Sequence, residues 1–340
     1  MNHTRFSWTL CLLAFCGQET TGWHALRYSE GCGAPARRCH ALRSTSERAT
    51  HVSQEPGDKF PPELVKFVPY RANPVFSAGG KGQWDAKIRE RGWIIKEGDV
   101  WKMWYTGYTG LGEDGGTRLL GYATSGDGIA WTRHPKNPLY TKHWVEDMMI
   151  VKHDGKYWMF AEGKDDLAQL LVSDDGLAWT RLGQLDIRKK NGEPISDGPY
   201  GTPTAWLENG VWHLFYERHD AGIWLATSKD MKVWRHVQDE PVMKPGPAAY
   251  DRDFIALNQI IKHKGRYYAY YHGAAKTESG PRLWSTAVAT STDLLHWEKY
   301  AGNPLQPTKE NKSSGIVVHD GKGYRLYTVH PEVNLHMPAP

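Results

Sequence analysis

The sequence predicts an all-β protein, a five-bladed β-propeller of four-stranded antiparallel blades, and three observations carry that prediction. A short pattern recurs five times: EGDVWKMWY from Glu97, HDGKYWMFA from His153, ENGVWHLFY from Glu208, HKGRYYAYY from His263 and HDGKGYRLY from His319. Its turn glycines, Gly98, Gly155, Gly210, Gly265 and Gly321, are separated by 57, 55, 55 and 56 residues, so the units are equal in size. A second pattern follows four of the five copies, and no segment has helical character, which excludes helical solenoids.

Within each unit an apolar run (GWIIK, MMIVK, TAWL, NQIIK, GIVV) leads through a polar-glycine turn into an alternating aromatic run, the pattern of a β-hairpin. The second pattern (ATSGDGIAW, LVSDDGLAW, ATSKDMKVW, ATSTDLLHW) supplies a third strand, a Ser/Asp turn and the start of a fourth. Asp127, Asp174, Asp230 and Asp293 are expected to bond turn backbone, and Trp131, Trp179, Trp234 and Trp297 to pack between blades. The pairs Asn73-Pro74, Asn137-Pro138 and Asn303-Pro304 mark passages from blade to blade. The fifth unit lacks the second pattern. The segment around Phe67 to Phe76 is expected to supply its missing outer strand and close the ring, giving one domain over residues 62–340.

Upstream of the repeat the composition changes. Ser7 to Cys16 is an apolar run too short to cross a bilayer, preceded by Arg5 and His3, so residues 1–22 read as a signal peptide and the protein as exported, periplasmic or extracellular. Leu13-Ala14-Phe15-Cys16 loosely resembles a lipoprotein box, against which the bulky Phe15 argues. Residues 23–61, polar and Arg-rich, read as linker or disorder. Cys11, Cys16, Cys32 and Cys39 all precede the repeat, so a Cys32–Cys39 disulfide could not brace the propeller core. A net charge of +4 with no run of like charges excludes a nucleic-acid surface, and no membrane span is expected. The 16 Trp and 17 Tyr are either structural or sugar-stacking, a choice made residue by residue.

In a propeller the innermost strands line a channel, and ligands bind at its mouth. Alignment on the turn glycine places Arg89-Glu90-Arg91, Glu146-Asp147, Gly201-Thr202-Pro203, Ala256-Leu257-Asn258 and Ser313-Ser314 on those strands. Asp85, Asp197, Asp251 and Asp253 stand just before them, and Thr106, Glu162, Glu217, His272 and Thr328 close the second strands. Such an acidic set suits glycosidic bond cleavage, which needs one carboxylic acid to protonate the leaving oxygen and one carboxylate as nucleophile or base. Of the neighbours Glu146 and Asp147 only one can face the channel, and alignment selects Asp147. Arg89 and Arg91 share a face, where they bind an anionic group or fix the acids.

The repeat DGKYWMF, the pair Trp84-Asp85 and the stretch GYATSGDGIAWTRHPKNPL resemble the five-bladed glycoside hydrolases related to families 43, 32, 68 and 130, over nearly all of residues 70–330. The resemblance implies that Asp147 matches the family 43 aspartate that tunes and orients the acid. It departs where the family has a base Asp in the first inner strand, here Arg89 to Arg91, and an acid Glu in the third, here Thr202. Val145-Glu146-Asp147 is similar to the Glu-Asp pair of family 130, which includes mannoside phosphorylases. The residues themselves suggest Asp85 as base or nucleophile, Glu217 as acid, Asp147 as orienting carboxylate, and Arg89, Arg91, Glu162, Asp253, Asn258 and His272 as substrate contacts. The expectation is an exported glycoside hydrolase acting on a carbohydrate partner without cofactor or metal. A phosphorylase and a non-catalytic sugar-binding propeller are the alternatives, and oligomeric state is left open.

Overall fold

A computed structural model of the protein describes residues 59–112, 115–196 and 198–340. The leader, the linker up to residue 58, the four cysteines and Asp197 lie outside the described residues. The described residues belong to one compact unit, Gln54–Pro340.

Strand β1 (Phe67–Pro69) precedes the first blade, which consists of β2 (Lys87–Glu97), β3 (Val100–Tyr108), β4 (Leu119–Ser125) and β5 (Thr132–Arg133). The second blade is β6 (Glu146–His153), β7 (Lys156–Glu162), β8 (Ala168–Ser173) and β9 (Thr180–Gln184). A short strand, β10 (Asp186–Arg188), then precedes the third blade of β11 (Gly201–Glu208), β12 (Val211–Glu217), β13 (Ile223–Ser228) and β14 (Val233–His236). The fourth is β15 (Phe254–His263), β16 (Arg266–Ala274), β17 (Trp284–Ser291) and β18 (Glu298–Lys299), and the fifth holds β19 (Gly315–His319), β20 (Tyr324–Val329) and β21 (Val333–Pro338). These form five sheets, the antiparallel blades of a five-bladed propeller. β1 pairs antiparallel with β21, Val68 opposite Met337, so the chain's own N-terminal strand completes the last blade.

The second strand of each blade is buried on both faces over its far half, as in the runs MWYT of β3, MFAE of β7 and LFYE of β12, because adjacent blades cover each face. Aromatic residues fill these interfaces: Phe160 of the second blade meets Trp234 of the third edge to face at 5.9 Å, and Phe215 meets Trp297 of the fourth at 6.2 Å. Trp104 Nε1 donates to the Gly176 carbonyl across the first interface (2.8 Å). These tryptophans are structural.

The Ser/Asp turns form as expected in three blades: Asp127, Asp230 and Asp293 each accept backbone N–H groups two or three residues ahead. In the second blade Asp175 takes this role, bonding the N–H groups of Leu177 and Ala178, whereas Asp174 pairs with Lys156 at the surface. The turn spacing counts from Ser173, whose hydroxyl bonds Asp175. The three Asn-Pro pairs act as clamps. Asn73, Asn137 and Asn303 bond both the N–H and the carbonyl of Leu335, Tyr122 and Val288, each side chain imitating a strand residue. One element has no counterpart in the repeat: β10 runs parallel to β14 and gives the third sheet a fifth strand, with Leu185 and Ile187 buried.

Candidate active site

The inner strands are interrupted at one height. Pairing shifts between Arg89 and Trp93 in β2, Glu146 and Met149 in β6, Gly201 and Thr204 in β11, and Leu257 and Gln259 in β15. At these bulges Glu90, Asp147 and Thr202 take left-handed backbone (φ 53°, 44° and 43°), and Ser314 does so at the start of the fifth inner strand (φ 55°). Such a conformation costs about 1–3 kcal/mol for a non-glycine residue, and a bulge re-aims a side chain off the sheet. Glu90, Asp147 and Thr202 each lie eight residues before their turn glycine and each lines the same cavity of about 280 Å³, near the lower size limit of small-molecule sites.

Six carboxyl groups converge on that cavity: Glu90, Asp147, Glu162, Asp166, Glu217 and Asp220. A Cβ atom on Gly201 would fall within 2.5 Å of both Glu162 Oε2 and Glu217 Oε1, so these oxygens lie within about 5 Å of each other, and the absence of a side chain at 201 permits the approach. Three of the acids are gripped by backbone. Glu217 accepts from Gly201 N (3.0 Å) and Asp220 N (2.5 Å), Glu162 from Thr202 N (2.8 Å), and Asp147 from Arg91 N (3.1 Å).

Burial dominates their protonation. It raises Glu217 to about 8, with the Asp220 charge adding to the effect. Asp147 and Glu90 are raised to about 7, again by burial first, with Glu90 repelling Asp147 and Arg89 partly relieving Glu90. Asp220 is raised to about 6, and Glu162 well above its ordinary value. His272 goes the other way, to about 3, because it is buried near Arg91. Its Nδ1 donates to Asn258 Oδ1 at 2.7 Å, leaving Nε2 as a neutral acceptor. Trp284 stands edge-on to this ring at 4.9 Å.

Of the residues singled out from sequence, the structure brings Asp147, Glu217, Arg89, Glu162 and His272 to the cavity. Five others lie elsewhere. Asp85 is buried outside the cavity, where its carboxylate takes bonds from Tyr105 Oη (3.0 Å) and Arg133 Nε (2.9 Å) and ties β3 to β5. Asp251, its counterpart in the fourth blade, is held the same way by Tyr271 (3.1 Å) and Lys299 (2.6 Å). Their sequence position before an inner strand reflects a repeated brace rather than a base. Arg91 is fully buried in the channel as a cross-blade tie. Its guanidinium donates to the carbonyls of Asp147, Pro203 (2.8 Å), Leu257 (3.0 Å) and Asn258 (2.8 Å) and to Thr204 Oγ1 (2.6 Å). The bulge between Arg89 and Trp93 removes the shared face that strict alternation would give the two arginines. Asp253 pairs with Arg252 and the Lys276 N–H at the surface, and Asn258 sits behind His272, orienting it.

Sequence reasoning missed Glu90, Asp166, Asp220, Arg282, Trp284 and His330 at the cavity. Glu90 had a signal, since it occupies the offset of eight that selected Asp147. Asp166, Asp220 and Arg282 stand on connections between strands, where the repeat register says nothing. Glu146 faces the neighbouring side of its strand, taking Trp144 Nε1–H at 2.6 Å and Arg89 Nε at 2.9 Å. Glu146, Glu162 and Asp166 bring ligand atoms within 4.8 Å of one another, but Arg89 already supplies positive charge to Glu146.

Comparison with known proteins finds partial sequence similarity and a shared fold. Residues 256–336 match the glycosyl hydrolases family 32 N-terminal domain. A protein of uncharacterised function from Mycobacterium tuberculosis is 22% identical over 232 residues, 63% of this chain and 77% of that protein. The 1,2-beta-oligomannan phosphorylase of Thermoanaerobacter sp. is 30% identical over 169 residues, 46% of this chain, and the match spans about half (53%) of the phosphorylase. The crystal structure of a glycosyl hydrolase from Bacteroides ovatus superposes with a TM-score of 0.65 at 16% identity, covering 80% of this chain and 94% of that one. The chain thus shares the five-bladed β-propeller fold of these glycoside hydrolases, and its partial sequence similarity to glycosyl hydrolase family 32 and to the phosphorylase supports a carbohydrate-active enzyme.

Proposed function

We propose that the protein is an exported glycoside hydrolase in which Glu217 is the general acid, Glu90 the base or nucleophile, and Asp147 the carboxylate that orients the substrate and tunes its neighbours. The observation that carries this reading is the convergence of Glu90, Asp147, Glu162 and Glu217 from three blades on one cavity, each with its proton held more tightly than usual by burial. Near neutral pH a carboxyl raised to about 8 is a proton donor, while one raised to about 7 is partly ionised. Glu217 gives its proton to the glycosidic oxygen as the C1–O bond breaks and its electron pair leaves with that oxygen. Either Glu90 takes a proton from the water that attacks C1, giving a hemiacetal and an alcohol in one step, or Glu90 attacks C1 itself, the alcohol leaves, and water deprotonated by the now ionised Glu217 breaks the glycosyl ester to release the hemiacetal and free Glu90. Glu90 takes the role that the sequence suggested for Asp85. The apolar run Ser7 to Cys16 supports export.

Similarity to the 1,2-beta-oligomannan phosphorylase favours a second reading, cleavage by phosphate. Sugar release by the full-length protein from a panel of plant, algal and microbial glycans, with and without phosphate and beside Asp147→Asn, tests both. Release that needs no phosphate and is lost in the variant supports hydrolysis. Release that requires phosphate selects phosphorolysis, and glycan binding without turnover refutes catalysis.

A further inference from the structure

We propose that the catalytic cavity opens into a groove running outward over the second blade, where Trp144 and the connection from Gly163 to Leu167 hold further sugar units of a glycan chain. The proposal rests on the reading of this cavity as a glycosidase site and names its substrate class: oligosaccharides or polysaccharides with several units bound at once, rather than single glycosides.

Three cavities lie in a row. The catalytic cavity shares Arg89 and Asp166 with a second, of about 350 Å³, which in turn shares Trp144, Lys164 and Asp165 with a third, of about 220 Å³. The connection between β7 and β8 therefore borders all three. Its backbone is fixed: Gly163 N–H donates to the Leu167 carbonyl, and Tyr200 N–H, just before β11, to that of Asp166, both at 2.9 Å. Asp165 and Asp166 are successive non-glycine residues in left-handed conformation (φ 63° and 52°), an unfavourable arrangement of the kind that clusters at active sites and ligand clamps. The side chains of Lys164, Asp165 and Asp166 stand exposed beside the cavities.

Trp144 borders both the second and the third cavity, and the repeat does not account for it. At the same place, eleven residues before the turn glycine, the other blades carry Lys87, Pro199, Phe254 and Glu310. Trp104 and Trp234 are fully buried between blades, whereas Trp144 is half-buried. It is held at three points. Its Nε1 donates to Glu146 Oε1 (2.6 Å), its carbonyl accepts from Gln169 Nε2 (2.6 Å), and the Arg118 guanidinium lies 4.5 Å from its ring centre, backed by the Tyr108 ring at 4.0 Å. A rigid aromatic surface loses little conformational entropy when it meets a ligand. A sugar ring carries C–H groups on its faces, which pack on such a surface, and hydroxyls around its rim, which both donate and accept. The second cavity supplies cationic and carboxylate side chains for those hydroxyls around Trp144.

Kinetics of the full-length protein test the proposal on a ladder from disaccharide to hexasaccharide, made by partial acid hydrolysis of whichever glycan of the panel above releases sugar. In the wild type, kcat/KM is expected to rise with chain length until the three cavities are filled, because binding energy from remote units is spent at the bond that breaks. Trp144→Ala is expected to cut that gain about tenfold. Lys164→Ala combined with Asp165→Gly removes two exposed side chains while glycine keeps the left-handed backbone, and is expected to cut the gain about threefold. Equal kcat/KM for disaccharide and hexasaccharide in the wild type, or a gain that either variant, still folded, retains in full, overturns this proposal and leaves the glycosidase reading standing. Failure of every glycan to be cleaved counts against the glycosidase reading itself, and this proposal falls with it.

Discussion

Replacing Glu217 by glutamine is expected to reverse the order of stability between acidic and alkaline pH. The folded protein holds the Glu217 proton up to about pH 8, whereas an unfolded chain releases it near the ordinary value of 4.5. Its stabilising effect is therefore complete below pH 4.5 and is lost as pH rises towards 8, because over that window the folded state binds the extra proton. At about 1.4 kcal/mol per pH unit, the wild-type protein loses on the order of 3 kcal/mol between about pH 5 and pH 8 from this group. Glutamine cannot ionise and escapes that loss. Its amide nitrogen, however, must face one of the two backbone N–H groups, of Gly201 or Asp220, that the carboxylate accepts, a penalty of roughly 1–2 kcal/mol at every pH. The variant should thus melt below the wild type near pH 5 and above it near pH 8, by a few degrees each way. Thermal or urea unfolding of the two proteins across that range reads the crossing directly. Parallel profiles would mean that Glu217 ionises at an ordinary pH in the folded protein, and its assignment as the acid would lose its physical basis.

Other expectations concern the same site. Activity, as kcat/KM, should rise through about pH 7 as Glu90 ionises and fall through about pH 8 as Glu217 loses its proton, and a flat profile across that span would contradict both assignments. Gly201→Ala should lower kcat/KM by about a hundredfold, since the methyl group must part Glu162 from Glu217, whereas unchanged kinetics would mean that their approach is unimportant. Arg91→Met should lower stability by about 3–5 kcal/mol in urea unfolding, because the carbonyls of Asp147, Pro203, Leu257 and Asn258 lose their common donor. A loss below about 1 kcal/mol would show that the channel closes without it.

The fold was legible because the propeller repeats its chemistry. The turn glycine, the aromatic alternation and the Ser/Asp turn follow from strand geometry, and they recur wherever that geometry does. Even the closing strand could be placed, since the fifth unit runs short of the second pattern. The site was legible only as far as the register reached. Asp147, Glu162, Glu217 and His272 stand at fixed offsets from the glycine and were found by counting. Asp85 was misread because a buried acid preceding an inner strand looks the same in sequence whether it faces a channel or braces β5 through Arg133. Arg91 was misread because the bulge after Arg89 breaks the alternation on which a shared face depends. Asp220 and Arg282 were invisible because connections carry no period.

The most direct test of the central claim, that carboxyl groups at the channel mouth perform the chemistry, is sugar release compared among wild type, Glu90→Gln, Glu217→Gln and Asp85→Asn on one responsive glycan. Glu90→Gln and Glu217→Gln are expected to lose about 10²–10⁴-fold in rate, while folded Asp85→Asn keeps wild-type kinetics with reduced stability. Full activity in the two cavity variants, with loss confined to Asp85→Asn, would contradict the account.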